Sequence, residues 1–236
     1  MLMKKIVIRF VKRLMTEKTN MISHVFESYK MKSFADLGGV WGVDGGYTFY
    51  TLKKFNIEEA FLVDTKISDR VMNKKKNFHQ LNLINDNFGS SDVARQIGQV
   101  DVIFLFDVLL HQVSPDWDEI VKIYANNTKC FIVYNQQFKG EKTVRLLDLG
   151  QEEYFKNVPH KKEEEPYKWL FEKMYQIHPQ HKRIYRDIHN VWQWGITDND
   201  LIGVMKSNGF QMVYFKNEGQ WGKLKNFEGH AFIFKK

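Results

Sequence analysis

The run Ser33-Phe-Ala-Asp-Leu-Gly-Gly-Val-Trp-Gly-Val-Asp-Gly-Gly46 constrains this chain more than any other stretch. A short apolar segment ends on an acid, Asp36, and a glycine-rich turn follows at once. A second apolar segment, Ala60-Phe-Leu-Val-Asp64, ends on another acid roughly twenty residues after the glycine turn. Two strands joined in this way suit a nucleoside cofactor held at the carboxyl edge of a parallel sheet. The glycines let the backbone come close to a ligand and adopt turn dihedrals that a side chain forbids. Asp64 is placed to accept hydrogen bonds from a ribose diol.

The turn does not follow the dinucleotide pattern G-x-G-x-x-G, whose helix amino end faces a pyrophosphate. It reads Asp36-x-Gly38-Gly39-x-x-Gly42. A carboxylate two residues before the first glycine is a poor neighbour for phosphate and a good one for a cation. S-adenosylmethionine carries an ammonium and a sulfonium and no phosphate. At these residues the sequence resembles the class I S-adenosylmethionine-dependent methyltransferases. Their first motif runs acid-x-Gly-x-Gly-x-Gly, and their second strand ends in an acid. Gly38 and Gly42 fall on the first and last of those glycines. Val40 stands where the middle one is expected, with Gly39 one place earlier. The resemblance implies S-adenosylmethionine as cofactor, bound by Asp36, Gly38, Gly39, Gly42 and Asp64.

Later segments extend the likeness over most of residues 33–236. Asn77-Phe-His-Gln-Leu-Asn-Leu83 reads as a third strand, and the resemblance puts Asn82 near the adenine. Val100-Asp-Val-Ile-Phe-Leu-Phe-Asp107 is a strongly apolar strand ending on an acid. The Val108-Leu-Leu-His111 that follows looks like the family's fourth motif and implies a cofactor contact for Asp107. Lys129–Asn135 is a fifth strand, and 210–215 with 230–235 form a closing antiparallel pair. Helices are expected near 46–55, 89–98 and 116–126. Thr197-x-x-Asp200 starts a later helix that ends at Asn208-Gly209. Strands alternating with helices imply a parallel sheet with right-handed crossovers. The expected fold is therefore α/β, a Rossmann-like doubly wound sheet of seven strands, in a single domain over residues 1–236.

The chain's 236 residues suffice for one large domain with a substantial core. No apolar run approaches the ~18 residues of a membrane span. The single cysteine, Cys130, excludes an intrachain disulfide and is compatible with a cytoplasmic location. Residues 1–32 read as amino-terminal helices. In 3–18, Val7, Phe10, Val11 and Leu14 recur at helical spacing among Lys5, Arg9, Lys12 and Arg13. This segment either packs beside the cofactor cleft or makes peripheral contact with an anionic membrane surface. The net charge of +7 favours acidic partners, nucleic acid among them.

Residues 139–195 exceed the minimal fold and read as a mostly helical, aromatic-rich cap inserted before the last helix. Tyr154, Tyr167, Trp169, Trp192 and Trp194 either stack on an acceptor or build the cap's own core. The cap also holds His160, His178, His181 and His189, without the spacing of a metal site.

Methyl transfer to a hydroxyl needs alignment and a base. His111, just past the fourth strand, is the first candidate, since an imidazole titrating near ~6.5 is neutral and basic at physiological pH. Asp107 is the competitor, better suited to orienting a neighbour, and His189 is a second candidate base. The fifth strand ends Tyr134-Asn135-Gln136-Gln137, without a carboxylate, so no metal is expected. The Asp-Pro-Pro-aromatic signature of base N-methylation is missing after the fourth strand. The reading is an O-methyltransferase acting on a small molecule or glycan precursor. The alternatives are an RNA methyltransferase, or a non-catalytic protein of the same fold.

Overall fold

In the computed structural model, which describes residues 14–236, helix α1 (Thr16–Tyr29) leads into strand β1 (Ser33–Leu37) and helix α2 (Gly46–Lys54). The chain continues through β2 (Glu59–Val63), α3 (Asp69–Lys75), β3 (Leu81–Ile84), α4 (Ser91–Ile97), β4 (Val100–Phe106), α5 (Trp117–Ala125) and β5 (Thr128–Phe138). After the cap come α7 (Asp198–Ser207), β8 (Gln211–Gln220) and β9 (Phe227–Lys235). The cap itself holds β6 (Val144–Arg145), α6 (Gln151–Lys156) and β7 (Trp194–Gly195). Of the amphipathic segment read over residues 3–18, residues 3–13 lie outside those described.

Seven strands form one sheet in the order β3-β2-β1-β4-β5-β9-β8. The first five are parallel, and β9 and β8 run antiparallel beside β5. The central strands are apolar at nearly every position because both faces are covered. Phe34, Leu62, Phe104 and Ile132 face α1 and α2, whereas Ile103, Leu105, Val133 and Phe232 face α4, α5 and α7. The strand order reverses between β1 and β4, which places a cleft at their carboxyl ends.

Helix starts follow local chemistry. Asp116 and Glu119 form a capping box on α5, and Ser90 caps α4. Thr197 accepts the amide of Asp200 at 3.3 Å, and α7 stops before Gly209, as its sequence implies. Three expectations fail. The third strand starts at Leu81, because Asn77 and Phe78 close turns onto Lys74 and Lys75. Helix α3 was not foreseen, since Val71 is its one buried residue and gives no periodicity. The cap is mostly turns: α6, six residues long, is its one α-helix, and Glu164, Tyr167 and Leu170 each donate to a carbonyl three residues back. Three of the chain's four prolines (Pro159, Pro166 and Pro179) fall here, and a proline has no N–H to give to a helical ladder.

Aromatic packing replaces regular structure in the cap. Tyr154, Tyr167, Leu170 and Trp192 are buried with Leu110, Leu224 and Phe227 of the main body. The Tyr154 hydroxyl donates to the Trp192 carbonyl at 2.9 Å. Most of the cap's aromatics therefore build its own core, while Trp169 and Tyr175 stay exposed. Among the described residues no helix is long and apolar enough to cross a membrane.

His230 on β9 ties the antiparallel half of the sheet to α7. Its Nδ1 lies 2.9 Å from Asp198 and its Nε2 3.3 Å from Glu228. Burial works against its charge, but the hydrogen bonds and charges of the two carboxylates win and raise its pKa. A raised imidazole pKa adds stability that is fully present below ~6.5 and is lost as pH rises through the folded value. Urea midpoints measured from pH 6 to 9 should fall more steeply for the wild type than for His230→Gln. Parallel curves would show that the pair contributes nothing.

Candidate active site

The cleft at the ends of β1 and β4 is built from buried acid. Asp36 closes β1 and is almost inaccessible. Its Oδ2 accepts a hydrogen bond from the Thr48 hydroxyl of α2 at 2.6 Å. Burial pushes its pKa up to about 6; Thr48 opposes the shift, Asp64 adds to it and Lys18 reduces it. Gly39 lies directly over this carboxyl group, and a Cβ there would fall 2.4 Å from it. Gly38 has φ 76 and donates to the Val63 carbonyl at 2.8 Å. The loop thus needs two adjacent glycines for different reasons, left-handed backbone at 38 and close approach at 39. Val40, in the place of the family's middle glycine, turns inward and joins the core under α2. Gly42 follows in the left-handed region, also at φ 76.

Asp64 stands at the end of β2, as expected, and already has partners. Its Oδ2 accepts the amides of Val40 at 3.0 Å and Trp41 at 3.2 Å, and its Oδ1 accepts that of Lys66 at 3.3 Å. In this state it anchors the glycine loop, and a ribose diol would have to share the carboxylate with those amides. Trp41, held by its backbone, leaves its indole 85% exposed beside the cleft.

Asp107 follows β4 with φ 57, an uncommon conformation for a residue other than glycine. Both its oxygens are engaged. Gln136 of β5 donates to Oδ1 at 2.7 Å, and the ammonium of Lys18 from α1 pairs with Oδ2. Lys18 is buried and lies over the rings of Tyr134, Tyr47 and Phe106. Asp107 is therefore a neutralised carboxylate rather than a free base.

His111 ends the 3₁₀ turn Leu109–His111. Its Nδ1 lies 2.8 Å from the Val191 carbonyl of the cap. A carbonyl only accepts, so Nδ1 carries the proton and Nε2 keeps a lone pair. Burial lowers its pKa, against the Val191 hydrogen bond and the charge of Asp107. The ring is neutral at physiological pH and stays partly accessible.

Two sequence assignments are corrected. Asn82 pairs with Phe61 inside β3, three positions below the level of Asp64 and so about 10 Å from the sheet's edge. Its side chain is exposed beside Met72 and Lys75, and Asn85, the residue after β3, stands at the carboxyl end instead. His189 lies at the junction of the cap with the loop after β4. Its Nε2 is 2.6 Å from Arg183 Nη1. The same nitrogen lies 2.9 Å from the Val113 carbonyl, so Nε2 is enclosed by Arg183 and Val113 and is not free to meet an acceptor. Lys18, Thr48 and Gln136 were missed. Lys18 is one of 35 basic residues, and no local pattern marks it for burial.

The sequence matches no family model and no curated protein sequence. Solved structures do align with the chain. The N-terminal domain of EvdMO1, solved with S-adenosylhomocysteine and D-fucose, gives a TM-score of 0.59 at 10% identity, covering 94% of this chain and 84% of that one. A 1,6-didemethyltoxoflavin-N1-methyltransferase of Burkholderia thailandensis, with its substrate and S-adenosylhomocysteine, gives 0.57 at 11%, covering 94% and 78%. The methyltransferase domain of bacterial CtHen1 gives 0.57 at 12%, covering 93% and 98%. At these identities the likeness is one of fold, which is that of the class I methyltransferases.

The buried acid makes a testable contribution. A carboxyl whose folded pKa is raised holds its proton more tightly folded than unfolded, so its ionisation destabilises. That penalty grows as pH rises from ~4 through about 6 and is complete above. Asp36→Asn should therefore be more stable than the wild type at pH 8 by up to about 3 kcal/mol, and no more stable at pH 4. Denaturant melts at both pH values check this, and a pH-independent difference would contradict it.

Proposed function

We propose that this chain, which has the class I methyltransferase fold, transfers a methyl group from S-adenosylmethionine to a hydroxyl of a small molecule or glycan precursor. The observation that carries the reading is Asp36, a buried carboxylate under a glycine loop with no phosphate-binding chemistry beside it. Such a group is stabilised by a cationic ligand. The residues fit this cofactor chemically: two carboxylates and three aromatic rings suit a positively charged nucleoside. When bound, S-adenosylmethionine supplies an activated methyl group.

The chain's own residues then have separate tasks. Asp36 holds negative charge at the end of β1. Asp64 fixes the glycine loop and is the group nearest to hand for a ribose. His111, neutral with a free Nε2, takes the proton from the acceptor hydroxyl. Its Nδ1 bond to Val191 makes the cap the part that orients the base. Support for a small acceptor comes from two neighbours, one solved with D-fucose and one with a toxoflavin precursor.

Calorimetry with S-adenosylmethionine should show binding to the wild type and weaker binding to Asp64→Ala. His111→Gln should leave that affinity unchanged and lower methyl transfer by about 10²–10⁴-fold in a labelling screen over sugars and phenols. The wild-type rate should fall only on the acid side, below ~6.5, because burial lowers the His111 pKa. Equal cofactor affinity in Asp64→Ala, or full activity in His111→Gln, would reject these assignments.

A further inference from the structure

The cleft already contains a cation. The Lys18 side chain is 3% exposed, and its ammonium pairs with Asp107. It sits 4.8 Å from the ring centre of Tyr134, 5.4 Å from Tyr47 and 5.5 Å from Phe106. The rings come from β5, α2 and β4, so three separate elements turn aromatic surface toward one charge. Asp36, at the end of β1, also feels that charge.

Neutralising Asp107 does not require this arrangement. That side chain is 37% exposed and already receives Gln136, so a lysine could pair with it from the solvent side. Full burial of the ammonium carries a desolvation penalty that the surrounding rings offset. Several ring faces and a carboxylate around one point form a recognition site for onium groups.

We infer that Lys18 is a tethered cation occupying the onium site of the cofactor cleft, and that its charge sets the preference between a sulfonium cofactor and the uncharged thioether left after methyl transfer. The inference rests on the methyltransferase reading for the identity of the ligand. The cage itself rests on the observed residues. A sulfonium brought to this site meets a like charge and must displace or crowd Lys18, whereas a thioether meets none. Lys18 thus weakens binding of the charged form selectively and acts as a specificity-determining residue.

Two measurements test this. In calorimetry, the ratio of S-adenosylmethionine to S-adenosylhomocysteine affinity should shift toward the former by on the order of tenfold or more in Lys18→Met, which keeps the side-chain volume and drops the charge. In thermal melts without nucleoside, millimolar trimethylsulfonium should raise the melting temperature of Lys18→Ala, whose cage is vacated, and leave the wild type unchanged. An unchanged affinity ratio, or equal weakening of both ligands, overturns the inference; the second result would make Lys18 an anchor for a group the ligands share. The two readings fail separately. If no variant binds either nucleoside while trimethylsulfonium stabilises Lys18→Ala, the cofactor reading falls and the cation cage stands. If both nucleosides bind with an unchanged ratio and trimethylsulfonium has no effect, the cage falls and the cofactor reading stands. Should Lys18→Ala fail to fold, the ratio in Lys18→Met alone decides.

Discussion

Negative charge buried at the carboxyl ends of parallel strands is the constraint around which the rest of this molecule is arranged. Asp36, Asp64 and Asp107 stand at the ends of β1, β2 and β4; the first two are buried and Asp107 is half-buried, and all three need compensation. Each receives it from a different part of the chain. Thr48 in the first turn of α2 serves Asp36, the amides of the glycine loop serve Asp64, and Lys18 of α1 with Gln136 of β5 serves Asp107. The helix before the sheet, the loop after the first strand and the fifth strand are thereby tied to one cleft. Apart from the Lys18 ammonium its contents are acidic and aromatic, which is the setting a positive charge requires.

The cap performs a second task. It is held to the main body by the Gln193 amide donating to the Leu110 carbonyl at 2.9 Å, by the Lys139 amide donating to the Asn226 carbonyl at 2.9 Å, and by the Trp194 indole donating to the Gln112 carbonyl at 2.6 Å. Through Val191 it selects the tautomer of His111. A segment with little regular structure thus fixes the proton of one imidazole by presenting one backbone carbonyl. Its aromatic core makes that carbonyl rigid, because Tyr154 bonds the adjacent Trp192.

The sheet was legible because its strands are continuous apolar runs punctuated by acids and glycines, and such runs have one use in an alternating chain. The glycine loop was legible down to its departure at Val40. The third strand was misplaced by four residues at its start because Phe78 and His79 look strand-like but close a turn after α3. Asn82 owes its expected place near the adenine to the family resemblance, and the register of β3 with β2 moves it away. The cap's prolines are visible in the sequence and argue against the mostly helical cap expected there. His189 has the right chemistry for a base, but the fold packs its Nε2 between Arg183 and the Val113 carbonyl.

By itself the sequence determined the order of strands and helices, the glycine turn, the acids at the strand ends and the chemical character of the ligand they suit. These follow from local rules: hydrophobic period, turn dihedrals and the residue types at a strand's end. Tertiary structure alone decided which acids are paired, which histidine keeps a lone pair and which one lysine among many is buried. Those outcomes depend on contacts between Lys18 and Asp107, separated by 89 residues, and between His111 and Val191, separated by 80. No local pattern encodes them, because a side chain's charge and proton are set by what the fold brings beside it.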